Sequence, residues 1–197
     1  MSYFPGATTV GLVCSDGVVL ASEKRVSYGN IVLSKTAKKV FKITDTIGAA
    51  CAGLVSDMQV LTKQMAAHAK IYTFDAGRSM SVKSAAKTMA SLLFGRRYFP
   101  YMTQTIVGGV DDEPKIYVLD PVGSVIEDKY AAVGSGAQLA MGVLESDYKA
   151  DITVKEGEEL VIRTVKSAIS RDAFSGNGID IMIVRKSGIE EKTLKLD

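Results

Sequence analysis

Tryptophan is absent from this chain, histidine occurs once and cysteine twice. Each scarcity removes a class of chemistry. With His68 as the sole imidazole, a serine- or cysteine-protease triad would have to be built on that residue. His68 comes three residues after Met65 and four before Tyr72, on or beside the packed face of a helix, so a packing or surface role outweighs catalysis. Cys14 and Cys51 lie inside apolar runs rather than at metal-ligand spacing, and read as buried reduced thiols of a cytosolic protein. No stretch approaches the roughly 18 apolar residues of a membrane span. Neither sign of charge dominates. The 24 basic and 22 acidic residues leave a net +2 with no arginine-rich arm, so nucleic-acid binding has no electrostatic footing. Residues 1–6 are too short, and lack the charge and apolar block, for a secretory signal. No low-complexity linker marks a domain boundary, and no paired carboxylates stand out by local spacing.

What is present is the material of one ordinary domain: 197 residues, 47% hydrophobic and 23% charged. Residues 9–14 and 18–24 are β-rich runs joined through Ser15-Asp16-Gly17, where the Asp-Gly step signals a hairpin. A second hairpin is predicted for 40–43 and 47–52. The latter run is apolar or small on both faces and reads as a strand covered on both sides. Ser56 with Gln59 reads as a capping box, after which Met58, Leu61, Met65 and Tyr72 recur at helical spacing. Val82, Ala85, Ala86, Met89 and Leu93 mark a second helix, bracketed by Gly95 and Pro100. Strands follow at 104–110, 115–120 and 124–132, with a turn at 120–123. Helices come next at 137–148 and after the Thr153/Glu156 capping box, which carries Val154, Val161, Val165 and Ala168 inward. A strand at 180–185, a turn and a short final strand close the chain. The class is α+β with two helix pairs; periodicity alone leaves the layer order open.

For function, Gly134-Ser135-Gly136 lacks the third glycine of a dinucleotide loop, because Leu139 stands there, and no phosphate-loop lysine follows. The block Gly6-Ala7-Thr8-Thr9-Val10-Gly11, taken alone, is a plain small-residue strand entry. Its weight comes from the segments after it: Ser22-Glu23-Lys24-Arg25, Lys38-Lys39, Ala52-Gly53-Leu54-Val55-Ser56-Asp57, Tyr130-Ala131-Ala132-Val133-Gly134-Ser135-Gly136 and Ser170-Arg171-Asp172-Ala173-Phe174-Ser175-Gly176. In this order, from residue 7 to about 184, they resemble proteasome β subunits, above all the archaeal type.

The resemblance implies a four-layer αββα sandwich of the Ntn-hydrolase type, with two antiparallel sheets between two helix layers. It also implies a propeptide, residues 1–6, cut after Gly6 to expose a threonine whose own α-amine is the general base. Ala7 holds that position, and a methyl group cannot attack a carbonyl. Thr8 carries a hydroxyl, but strand alternation turns it to the other face. The supporting set implied by the family is Lys39 with Glu23, then Asp172, Ser175 and Ser135 around the N-terminus, and Gly53 for the oxyanion. Taken singly, each has a plainer reading: an ion pair, a helix cap or a tight turn. Val26, Ala37, Phe41, Cys51 and Val55 match the first substrate pocket and would suit a hydrophobic side chain, and are equally compatible with core packing.

By the same resemblance the partners are α subunits and other β subunits in stacked seven-membered rings, a regulatory ATPase acting through the α rings, and protein substrates in the cytoplasm. No cofactor is called for. Two origins fit the alanine: a silent β subunit kept for assembly, or an introduced threonine-to-alanine change. Retention of Lys39, Asp172, Ser175 and Ser135 as a set favours the second. A bacterial two-ring protease subunit and an outer α subunit fit less well, the latter because only six residues precede Ala7.

Overall fold

The computed structural model describes residues 6–196. In chain order come β1 (Thr8–Cys14), β2 (Gly17–Glu23), the small hairpin β3 (Val26–Tyr28) and β4 (Ile31–Ser34), then β5 (Val40–Lys42) and β6 (Ile47–Gly53). Helices α1 (Val55–Ala76) and α2 (Val82–Gly95) follow, then β7 (Thr103–Val110), β8 (Pro114–Leu119), β9 (Val125–Asp128) and β10 (Tyr130–Gly134). The chain continues through α3 (Ala137–Asp147) and α4 (Val154–Ile169) to β11 (Gly178–Arg185) and β12 (Gly188–Lys195).

The strands form two antiparallel sheets, ordered β10-β1-β2-β11-β12 and β5-β6-β7-β8-β9. Strand alternation then builds three apolar layers. Val10, Leu12 and Cys14 of β1 face α3 and α4, where they meet Leu160, Val161 and Val165. Val13 of the same strand points the other way and joins Leu20, Ile106, Ile116 and Met182 between the sheets. Ile47 and Ala49 of β6 face α1 and α2 with Leu61, Met65 and Met89, while Ala50 and Ala52 join the central layer. The result is the αββα sandwich. Strands buried on both faces carry no polar alternation, which is why β1, β2 and β6 are apolar or small apart from Glu23 at the end of β2.

Most predicted elements form where expected, and the differences lie where partners distant in sequence decide. The run 124–132 is two strands in different sheets: β9 pairs β8, and after Lys129 β10 pairs β1. The side-chain period of two carries no record of which partner each half takes. The Ser56/Gln59 capping box does not form. Helix α1 starts earlier, at an N-cap of Leu54 without a side-chain bond. The Leu54 N–H donates to the Met102 carbonyl at 2.8 Å, and Asp57 Oδ2 accepts the Met102 N–H at 2.8 Å, so Met102, the residue leading into β7, fixes the helix entry. At α4 the Thr153/Glu156 box is present in both directions. The β3–β4 hairpin has no counterpart in the predicted elements. The last strand is eight residues rather than short, since β12 pairs along the whole of β11. Among the described residues no helix is long and apolar enough to cross a membrane. Cys14 and Cys51 are free and buried, as expected.

Candidate active site

Residue 7 sits where β1 begins, at the end of the sandwich where β10, the start of α3 and the loop after α4 meet. Pairing of Thr8 with Gly134 and of Thr9 with Ser22 sets the register. That register turns the Ala7 methyl into the layer between the sheets, fully buried among Val40, Ala50, Ala52 and Val133. Thr8 faces the opposite way, as expected, and its Oγ1 lies 2.7 Å from Ser175 Oγ.

Polar groups gather on the backbone of Ala7. Its N–H donates to Ser135 Oγ at 3.1 Å, and its carbonyl accepts the Gly136 N–H at 3.4 Å. Ser135 Oγ donates to Asp172 Oδ2 at 2.6 Å, and Ser175 Oγ donates to the same oxygen at 2.6 Å. The Phe174 N–H reaches Asp172 Oδ1 at 3.2 Å. Ser135, Asp172 and Ser175, remote in sequence, therefore form one network ending on the nitrogen of residue 7. Gly134 permits it: at φ 99°, a side chain there would place its Cβ 2.1 Å from the Ala7 carbonyl oxygen.

Glu23 and Lys39 form a second, drier pair at the end of β2. Lys39 Nζ donates to Glu23 Oε1 and, at 2.6 Å, to the Arg25 carbonyl. Glu23 Oε2 accepts the Arg25 N–H at 2.6 Å and the Gly176 N–H at 3.0 Å. Burial pushes Lys39 below the usual lysine range, opposed by Glu23 and Asp172 and reinforced by Lys24. Burial likewise raises the Glu23 carboxyl, against Lys39 and the two backbone donors. With an ammonium and two N–H groups on one carboxylate, the ionised pair is the form these contacts favour. A buried cation held low in pKa and near Asp172 is suited to stabilising an alkoxide or sharing a proton.

Gly53 closes β6 at φ 137°, where a Cβ would lie 2.1 Å from the Met102 carbonyl oxygen, so only glycine fits. Of the predicted pocket set, Val26, Ala37, Phe41 and Val55 are half-buried, whereas Cys51 is completely enclosed. Cys51 Sγ lies 3.6 Å from Thr105 Oγ1, and burial pushes its pKa up to about 12. A groove of about 280 Å³ beside α1 takes Phe41 but none of the other four; Lys38, Lys42, Gln59 and Lys63 help to line it. Arg25 is a site residue that the sequence reading left without a role. Its guanidinium donates to Asn177 Oδ1 at 3.1 Å and to the Ala173 carbonyl at 2.8 Å, pinning the loop that carries Asp172 and Ser175. Only its place in Ser22-Glu23-Lys24-Arg25 pointed to it.

Residues 3–184 match the family described as "Proteasome subunit". The chain belongs to that family. Its relatives identify it further as a proteasome β subunit of the archaeal type. It is 51% identical over 191 residues to "Proteasome subunit beta 1" of Nitrosopumilus maritimus, covering 97% of this chain and 96% of that protein. It is 50% identical to "Proteasome subunit beta 1" of Ignicoccus hospitalis, over 93% of both chains. Against "Proteasome subunit beta 2" of Thermofilum pendens it is 48% identical over 100% of this chain and 96% of the relative. The proteasome β family is one of threonine-type proteases, which gives the network around residue 7 a chemical context.

Proposed function

We propose that this proteasome β subunit is a proteolytic subunit whose nucleophile position carries alanine, so that it neither processes itself after Gly6 nor hydrolyses peptide bonds. One observation carries the reading: a serine–aspartate–serine network ends on the nitrogen of residue 7, whose side chain is a methyl group; a buried lysine–glutamate pair at the end of β2 supports it. Residues 1–5 of the proposed propeptide lie outside the described residues.

With threonine at position 7, cleavage after Gly6 would free an α-amine, whose ordinary pKa near 8 suits a general base. That amine would occupy the place of the Ala7 nitrogen, held by Ser135 and, through it, by Asp172. It would take the threonine hydroxyl proton as the oxygen attacks the scissile carbonyl. Lys39, kept near its task by Glu23, would offset the developing alkoxide, and the Gly53 N–H would serve the oxyanion. The amine would return its proton to the leaving amine, and water would release the acyl-threonine ester. Val26, Ala37, Phe41 and Val55, with Cys51 as an enclosed floor, would receive a hydrophobic side chain. The particle would be a stack of seven-membered rings with α subunits and other β subunits. A regulatory ATPase would feed it protein substrates in the cytoplasm.

The test is Ala7→Thr, assembled with α subunits. The expected result is loss of residues 1–6 by intact mass and cleavage of a hydrophobic fluorogenic peptide, against full mass and no cleavage for the Ala7 chain. Correct assembly without activity would instead support a structural β subunit that serves an active sister. Loss of residues 1–6 from the Ala7 chain itself would contradict the inert reading.

A further inference from the structure

Proton accounting at Asp172 assigns a role to a residue on the far face of β1. Thr8 is fully buried, and its Oγ1 lies 2.7 Å from Ser175 Oγ. A serine hydroxyl has one proton, and that of Ser175 is committed to Asp172 Oδ2 at 2.6 Å. The Thr8 hydroxyl must therefore be the donor to Ser175. Ser135 holds the mirror-image position: it accepts the N–H of residue 7 and gives its own proton to the same carboxylate oxygen. One oxygen of Asp172 thus receives two relays that begin on adjacent residues, one from the main-chain N–H of residue 7 and one from the Thr8 hydroxyl.

We propose that Thr8 is a positioning residue of this site, setting the N-terminal nitrogen of the strand through Ser175 and Asp172. The inference rests on the proteolytic reading above. A donor bond into Ser175 polarises its O–H and strengthens its bond to Asp172, as in any chain of hydroxyls in a dry environment. Ser175 is itself fully buried, so without Thr8 its acceptor lone pairs have no solvent to turn to. Asp172 then loses one of the two hydroxyls that fix its orientation. The nitrogen held through Ser135 loses definition with it. The Thr8 side chain points to Ser175, away from the layer between the sheets that holds position 7's side chain, so its contribution belongs to the chemical step.

The experiment starts from Ala7→Thr assembled with α subunits and compares it with the same chain carrying Thr8→Val, Thr8→Ala or Thr8→Ser. Assembly is read by native mass. One buried hydrogen bond corresponds to a kcat lower by about five- to tenfold in Thr8→Val and Thr8→Ala, with KM unchanged. Thr8→Ser, which keeps the donor, restores kcat to within about twofold. In the Ser175→Ala background, Thr8→Val adds no further loss, because the relay is already cut. An inactive Ala7→Thr parent sinks the proteolytic reading together with this inference. An active parent whose kcat is unaffected by Thr8→Val and Thr8→Ala overturns the inference alone. So does a Thr8→Ser variant as slow as Thr8→Val, or a Thr8→Val loss that multiplies with that of Ser175→Ala. If neither Val nor Ala permits assembly while Ser does with full kcat, Thr8 is a folding residue and the inference fails.

Discussion

Lys39 donates to Glu23 across an ion pair in which neither side chain is more than 1% exposed. Such a pair is a poor source of net stability, because desolvation offsets most of the attraction, but breaking it leaves a buried charge alone. Glu23→Gln is therefore expected to cost about 3–5 kcal/mol in denaturant unfolding, whereas the double change Glu23→Met/Lys39→Met costs less. Equal or smaller loss in the single variant would show that water reaches the pair.

The two thiols give a second test. Burial, foremost, pushes both Cys14 and Cys51 up to about 12, with Asp16 adding to the effect at Cys14. At pH 8 the native chain is expected to resist an aromatic disulfide reagent at both positions, and to react at both once unfolded. Rapid labelling of the folded subunit would contradict their burial.

Gly53 ends β6 in a conformation that side chains rarely adopt and against the Met102 carbonyl. The backbone strain of Gly53→Ala alone is worth about 1–3 kcal/mol, and the contact adds to it. A lower midpoint in thermal unfolding is expected, and in the Ala7→Thr background a lower kcat as well. An alanine variant as stable as the parent would mean that the strand end relaxes freely.

Asp120 carries an acid-side signature. Burial raises its carboxyl, but the Ser124 and Val122 N–H groups donate to it and hold it below the usual aspartate value. A depressed folded value stabilises above the unfolded one, and that contribution disappears as pH falls through the folded value. Between pH 7 and the acid limb, the parent is expected to lose more stability than Asp120→Asn, read by urea midpoints at each pH. Parallel curves would exclude Asp120 as a source of acid sensitivity.

The sequence by itself determined the helices, most strands and the family. Apolar spacing at Met58, Leu61 and Met65, or at Val154, Val161 and Val165, follows from local geometry that any fold must respect. The ordered segments around Ala7, Lys39, Ser135 and Asp172 made the β-subunit resemblance legible, and the methyl at position 7 needed no coordinates. Only the tertiary structure decided which sheet each half of 124–132 joins, because alternation looks the same against either partner. It also decided that α1 starts on Met102, the residue before β7, rather than on a Ser56 box, and that Arg25 pins the Asp172 loop. The same holds for Ser135 and Ser175 meeting on one oxygen with Thr8 behind them. Those contacts join residues as far as 167 positions apart. Chain-local rules carry no information across such a distance; packing does.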